Sequence, residues 1–157
     1  MIKIVVSKDD FSIDAEYRHL SSDLPSCGAV VTFTGLVREF SERTGVTGMR
    51  LEHYPGMTEK ALGSICALAA DRWDVQRCTV IHRVGDLKTE EQIVFVGVAS
   101  AHREDAFEAC RFIMDYLKTE APFWKKELTE DGEFWVEARD KDQKARECWG
   151  TPDSDSA

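Results

Sequence analysis

The sequence predicts a mixed α+β domain with a mainly antiparallel sheet and two principal helices, and three observations carry that prediction. The run QIVFVGVASA (92–101) is almost continuously apolar, as a central strand covered on both faces must be. Two stretches, 58–73 and 104–120, repeat apolar residues at helical rather than strand spacing. FWKKELT and FWVEAR flank a turn carrying Asp131-Gly132, a dipeptide that readily closes a hairpin.

Along the chain, IKIVVS (2–7) is a β-branched run and reads as the first strand. Lys8-Asp9-Asp10 then turns into a weak helical stretch around Phe11–Leu20. AVVTFTGLVR (29–38) is a second strand, and Gly35 near its end invites a bulge or the close approach of another backbone. The polar, glycine-containing segment 39–48 is expected to be a mobile loop. MRLEHY (49–54) is a strand stopped by Pro55-Gly56. Thr58 is the expected N-cap of the first long helix, whose apolar positions are Ala61, Leu62, Ile65, Leu68 and Ala69. CTVIHRVG (78–85) is a strand joined to the central run by a charged loop. The second long helix sets Ala106, Cys110, Ile113 and Leu117 in one stripe. Glu104 and Asp105 suit its dipole and Pro122 stops it. Beyond Asp140 the chain is polar, and TPDSDSA is expected to be a disordered tail.

With 157 residues, 43% of them hydrophobic, the chain holds enough for one compact core. Its formal net charge of −9 is opposite to the basic footprint of a general nucleic-acid binder. No apolar run approaches the roughly 20 residues of a membrane helix, and the segment after Met1 becomes charged too early for a secretory signal, so a cytoplasmic protein is expected. The five cysteines, Cys27, Cys66, Cys78, Cys110 and Cys148, are scattered and form no C-x-x-C pair. They read as free thiols, the first four as small core hydrophobes. Four dispersed histidines nominate no metal site, and phosphate-binding glycine loops, zinc-protease motifs and serine-hydrolase elbows are absent. Neither metal nor cofactor is expected.

Cations at element ends point to the chemistry instead. Arg38 closes the second strand, His102 and Arg103 lie where the central strand hands over to a helix, and Lys118 is in that helix's last turn. Lys125 and Lys126 follow Pro122. A helix start presents N–H groups and positive potential, so His102-Arg103 suits a phosphate. Lys118 shares a helical row with Phe107, Arg111 and Met114, which is expected to lay its stem along apolar surface. With a second lysine near, it can serve as base or nucleophile. Strand alternation sends Lys125 and Lys126 to opposite faces. Any one of these cations could simply complement a dipole or guard a sheet edge, and it is their grouping that favours function. If the helix is unbroken, Arg103 and Lys118 stand about 22 Å apart. The expected site is therefore shared across a two-fold dimer, His102 and Arg103 of one subunit facing Lys118 and Lys125 of the other.

The stretches VVTFTGLVR, LEHYPGMTEKAL, VIHRVGDL, IVFVGVASAHREDAFEA, IMDYLKTEAPFWKKE and WVEARD resemble the large, catalytic subunit family of molybdopterin synthase, from about Ile2 to Trp149. The resemblance implies an α/β hammerhead fold in one domain, residues 1–149, followed by a polar tail at 150–157. It also implies a homodimer at the core of a heterotetramer with a small ubiquitin-like sulfur carrier. The implied activity is a sulfurtransferase of molybdenum cofactor biosynthesis. It installs two dithiolene sulfurs on cyclic pyranopterin monophosphate from the carrier's C-terminal Gly-Gly thiocarboxylate. By motif, Lys118 (YLKT) and Lys125 (PFWK) are then catalytic, while Arg38, His102 and Arg103 bind the anionic substrate. Lys126, Glu127 and Arg139 are further candidates for the same pocket. Leu36 departs from relatives that carry lysine in that block. Sulfur delivered as a thiocarboxylate requires no cysteine nucleophile of this chain. Two readings compete: a non-catalytic module that binds the tail of a ubiquitin-like protein, and a lysine Schiff-base enzyme acting on a small phosphorylated carbonyl compound.

Overall fold

The apolar run expected at the centre is strand β6 (Gln92–Ser100), buried from Val94 to Ser100. The computed structural model describes residues 1–39, 45–136 and 140–149, with side chains described for 1–39, 45–135 and 144–149. β6 lies inside a four-stranded sheet of order β1-β4-β6-β2, where β1 is Ile2–Ser7, β2 is Ala29–Leu36 and β4 is Arg77–Arg83. β2 and β4 run antiparallel to β6, and β1 joins β4 in parallel. Alternation along the strands feeds two cores. Cys78, Val80, Val94, Val96 and Val98 pack with Leu62 and Ile65 of α2 (Met57–Arg72) and with Phe112, Ile113 and Leu117 of α3 (Arg103–Glu120). On the opposite face, Phe95 and Ile81 meet Leu20 of α1 (Ile13–Ser21). Gly97 permits that contact, since a Cβ there would lie 2.3 Å from Leu20 Cδ1. Gly35 does what its position suggests: the β2–β6 register shifts between Gly35 and Leu36, and a Cβ on Gly35 would meet Val94 Cγ1 at 2.6 Å.

One sheet was expected and two are found. The second has the order β5-β3-β7-β8, all antiparallel, with β3 at Val46–His53, β5 at Gly85–Lys88, β7 at Phe123–Thr129 and β8 at Gly132–Val136. Gly85, at φ +87°, takes the chain out of the first sheet after β4 and into the edge of the second. Residues 85–88, read from sequence as a strand end and charged loop, pair there with Gly48–Leu51. β3 begins ahead of the expected Met49, and residues 40–44 of the expected loop lie outside the described residues.

Thr58 is not the cap of α2, which is Gly56. Thr58 is instead fully buried in the first turn, where its Oγ1 accepts from Tyr54 N at 3.1 Å and donates to the Pro122 carbonyl at 3.2 Å. It thereby ties α2 to the corner that returns the chain from α3 into β7. Thr58→Val keeps the shape and removes both bonds, so the unfolding free energy is expected to fall by about 1–3 kcal/mol, read as a lower denaturant midpoint at unchanged slope.

The stretch after β8 contains a further helix, α4 (Asp140–Glu147), that sequence reading treats only as a polar run. It has no apolar stripe to betray it. Arg146 pairs with Glu120 of α3 at 2.9 Å and lies over the Tyr116 ring. Beyond it the Trp149 indole donates to Asp115 Oδ2 at 2.6 Å and packs edge-on against Trp73 and Phe112. Residues 150–157 lie outside the described residues.

Candidate active site

β6 runs one way and α3 returns, so the two ends of this layer carry different groups. Leu36 of β2 pairs with Gln92 at the start of β6, which places Arg38 at the same end as the last turn of α3 and Lys118. His102 and Arg103 stand at the other end, beside Ser100. α3 is unbroken over 18 residues, so about 22 Å of helix separates Arg103 from Lys118. A single subunit brings Arg38 and Lys118 to one end and leaves His102 and Arg103 at the other.

Lys125 reaches the Lys118 end by a different route. The corner at Ala121–Phe123 carries a Phe123 N–H to Ala121 carbonyl bond of 2.9 Å, and β7 then runs beside β3, with Phe123 opposite His53 and Lys125 opposite Leu51. Phe123 stacks on His82 of β4, ring centroids 4.1 Å apart and planes at 27°, joining the two sheets. His82 is buried, and burial holds its imidazole pKa down at about 4 against the ordinary 6.5. Its contact with the Arg83 carbonyl opposes that shift, while Lys118, Lys125 and His53 reinforce it. Lys118 and Lys125 thus both act electrostatically on this one buried ring. His82 and His53 are site residues that the sequence reading did not nominate. For His82 the available signal was an imidazole inside the strand run CTVIHRVG.

Lys118 is exposed, as are Phe107 and Arg111 of its row, so its stem does not lie in the apolar cover expected from helical spacing; that row faces outward from α3. Lys126 is on the opposite face of β7 from Lys125, 3.7 Å from Glu133 and 4.4 Å from the Trp135 ring centroid. Arg50 joins that outer network, 3.1 Å from Glu133 and 2.7 Å from Asp86. Glu127 is buried on the Lys125 face. Arg139 lies outside the described residues. At the far end, His102 and Arg103 are exposed on a braced turn. Asp74 N donates to Asp105 Oδ2 at 3.1 Å, and Ala101 N donates to Asp74 Oδ2 at 3.3 Å.

Beside the lysine cluster an open groove of about 640 Å³ runs between the sheets, lined by Leu51, His53, Val84, Gly85 and the charged Lys8, Arg50, Glu52 and Asp86. It shares His53 with the cluster and is large enough for a small ligand or an extended peptide tail. Of the four cysteines expected in the core, Cys66, Cys78 and Cys110 are buried and Cys27 is only half-buried, while Cys148 is exposed. Burial pushes the Cys110 thiol up to about 12, and Cys78 is raised by its contact with Cys66 at 3.5 Å and by burial. Among the described residues no three or more His, Cys, Asp or Glu side chains are grouped to hold a metal ion. None of the described helices is long and apolar enough to cross a membrane.

The depressed His82 pKa has a stability consequence. Above pH 6.5 the ring is neutral folded and unfolded; below it the unfolded chain takes up a proton that the folded one refuses until about pH 4. Stability is therefore expected to fall as pH drops through that window, by on the order of 3 kcal/mol in all. Urea titrations at stepped pH read this, and His82→Gln should flatten the slope.

Fold and site together define a two-sheet α+β domain with Lys118 and Lys125 acting electrostatically on a buried imidazole at one end and an exposed His102-Arg103 helix start at the other. Residues 6–120 match the model of the MoaE protein family. The molybdopterin synthase catalytic subunit of Vibrio cholerae serotype O1 is 54% identical over 147 residues, 94% of this chain and 97% of that protein. The molybdopterin biosynthesis MoaE protein of Burkholderia ambifaria superposes with a TM-score of 0.83 at 50% identity, covering 96% of this chain and 99% of that one. A chain from the complex of subunits 1 and 2 of the molybdopterin-converting factor of Helicobacter pylori shares the fold, at TM-score 0.70 and 20% identity, over 88% and 91% of the two chains. The chain belongs to the MoaE protein family.

Proposed function

We propose that this chain is the catalytic subunit of a molybdopterin synthase, a cytoplasmic sulfurtransferase that converts cyclic pyranopterin monophosphate into the molybdopterin dithiolene. What supports the reading is that Lys118 and Lys125, from separate elements, both act electrostatically on His82, in a chain of a family whose members are named for this activity. That relatives are called catalytic subunits supports a second, carrier subunit, here a ubiquitin-like protein with a thiocarboxylated Gly-Gly end. Lys118 supplies a proton or compensating charge as water cleaves the carrier's acyl–sulfur bond, leaving the sulfur on the pterin and the carrier with a free carboxylate, and Lys125 shares that task. His102 and Arg103 of the second subunit, with Arg38, hold the substrate phosphate by charge-assisted hydrogen bonds. Residues 1–149 form the working domain, two copies of which make the core of a heterotetramer. Glu127 and Arg139 are secondary substrate contacts, and the outward network of Lys126 leaves it the weakest member of that set.

The deciding experiment incubates the protein with thiocarboxylated carrier and cyclic pyranopterin monophosphate and assays dithiolene product. Product that depends on all three components is the expected result. Carrier binding without turnover would instead identify a docking module, and a borohydride-trapped adduct formed without any carrier would identify a Schiff-base enzyme.

A further inference from the structure

We propose that β2 is the seam of the homodimer: two copies of the chain pair β2 to β2, antiparallel, about a two-fold axis near Thr32 and Phe33. This rests on the reading that His102 and Arg103 of one subunit share a site with Arg38 and Lys118 of the other. Four strands end the two sheets, and three of them carry charge that discourages edge pairing: Lys3 in β1, Asp86 and Lys88 in β5, and Glu133 in β8. β2, AVVTFTGL, holds eight residues with neither a charge nor a proline, and among the described residues it pairs with β6 alone. The outer edge of such a strand is a ready template for another. The layer above overhangs the same edge. α2 packs over β1, and α3 lies over β6 and β2. Phe112 meets Trp73 just beyond α2, so helical geometry turns Phe107, Arg111, Met114 and Lys118 to the side of α3 away from α2, above the margin of β2. Phe33 pairs with Val96 of the α2–α3 core and therefore sits on the α3 face of β2. Phe33 and Phe107 are 42% and 60% exposed there, large apolar surfaces that a second copy would cover. An antiparallel seam also supplies what the site requires. It sets Leu36 of one copy near Ala29 of the other, and Ala29 neighbours Ser100. The end bearing Arg38 and Lys118 then lies beside the second copy's turn at 100–103, offset by two strand spacings, about 10 Å.

Sedimentation of the full chain and thiol cross-linking test this. The wild-type protein should be a dimer. Phe33→Lys and Phe107→Lys place charge in the seam at exposed positions, so each should keep its far-UV circular dichroism and weaken dimerisation by at least about 30-fold. Tyr17→Lys, at a comparably exposed aromatic on α1, should leave dimerisation unchanged. In a Cys27→Ser, Cys148→Ser background, a short bismaleimide should join Thr32→Cys copy to copy and should not join Tyr17→Cys. A monomeric wild type, a dimer that both lysine substitutions leave intact, or no cross-link at Thr32→Cys would each overturn the proposal. So would β2 amides that become protected from hydrogen exchange only when the sulfur carrier is added, since the edge would then belong to the carrier. Assays of dithiolene formation separate this proposal from the shared-site reading beneath it. Turnover by monomeric Phe33→Lys would leave the seam standing and remove the shared site. A dimer joined elsewhere that still needs both subunits for turnover would remove the seam alone.

Discussion

Lys118→Ala is expected to lower the rate of dithiolene formation by about 10²–10⁴-fold, the range general acid–base groups commonly supply. Folding and carrier binding should be nearly untouched. Lys118 is exposed in the last turn of α3, so truncating it opens no cavity and strands no buried partner. Substitutions at such positions usually stay within about 0.5 kcal/mol. Because the ammonium is proposed to act on charge that develops as the acyl–sulfur bond breaks, kcat and kcat/KM should fall together. Lys118→Arg tells proton transfer from plain charge: arginine stays protonated, so it should rescue little if a proton must move and substantially if only charge is needed. Single-turnover assays with thiocarboxylated carrier, alongside a binding titration, make the measurement. A variant that binds carrier and turns over at the wild-type rate would remove Lys118 from the mechanism.

Most of the fold is legible because its elements bury regular patterns. β6 announces itself by an unbroken apolar run, and α3 by the stripe of Ala106, Cys110, Ile113 and Leu117, three of which are fully or almost fully buried and the fourth at 4% exposure. What escapes is held by something other than a periodic apolar face. β5 is a four-residue edge strand fixed by the turn at Gly85, a backbone conformation rather than a side-chain pattern. α4 is anchored by Arg146 and Trp149 to groups on α3 that lie far away in sequence. The same logic divides the site. Lys118 and Lys125 stand out as cations at element ends, and alternation correctly separates Lys125 from Lys126 across β7. His82 stays hidden because it occupies a core position on a core strand. Its place beside the second sheet shows only in the stack on Phe123, a contact between strands far apart in sequence.

Mixing two nearly inactive variants is expected to restore activity. Within one subunit the whole of α3 stands between Arg103 and Lys118, and β6 separates the same two ends of the layer, so no side chain spans the gap. A phosphate held by His102 and Arg103 can meet Lys118 only if the two groups come from different subunits. A two-fold axis supplies that arrangement twice, once on each side. Lys118→Ala and Arg103→Ala should each be severely impaired as homodimers. In a mixed dimer one site carries both lesions and the other carries neither. Random reassortment makes half the dimers mixed, so co-refolded or co-expressed subunits should recover about a quarter of wild-type turnover. A site complete within one subunit predicts instead that the mixture never exceeds the average of its two parents. The pterin concentration dependence sharpens the distinction: the active half of each mixed dimer should show the wild-type KM, because its phosphate-binding pair and its lysines are all intact.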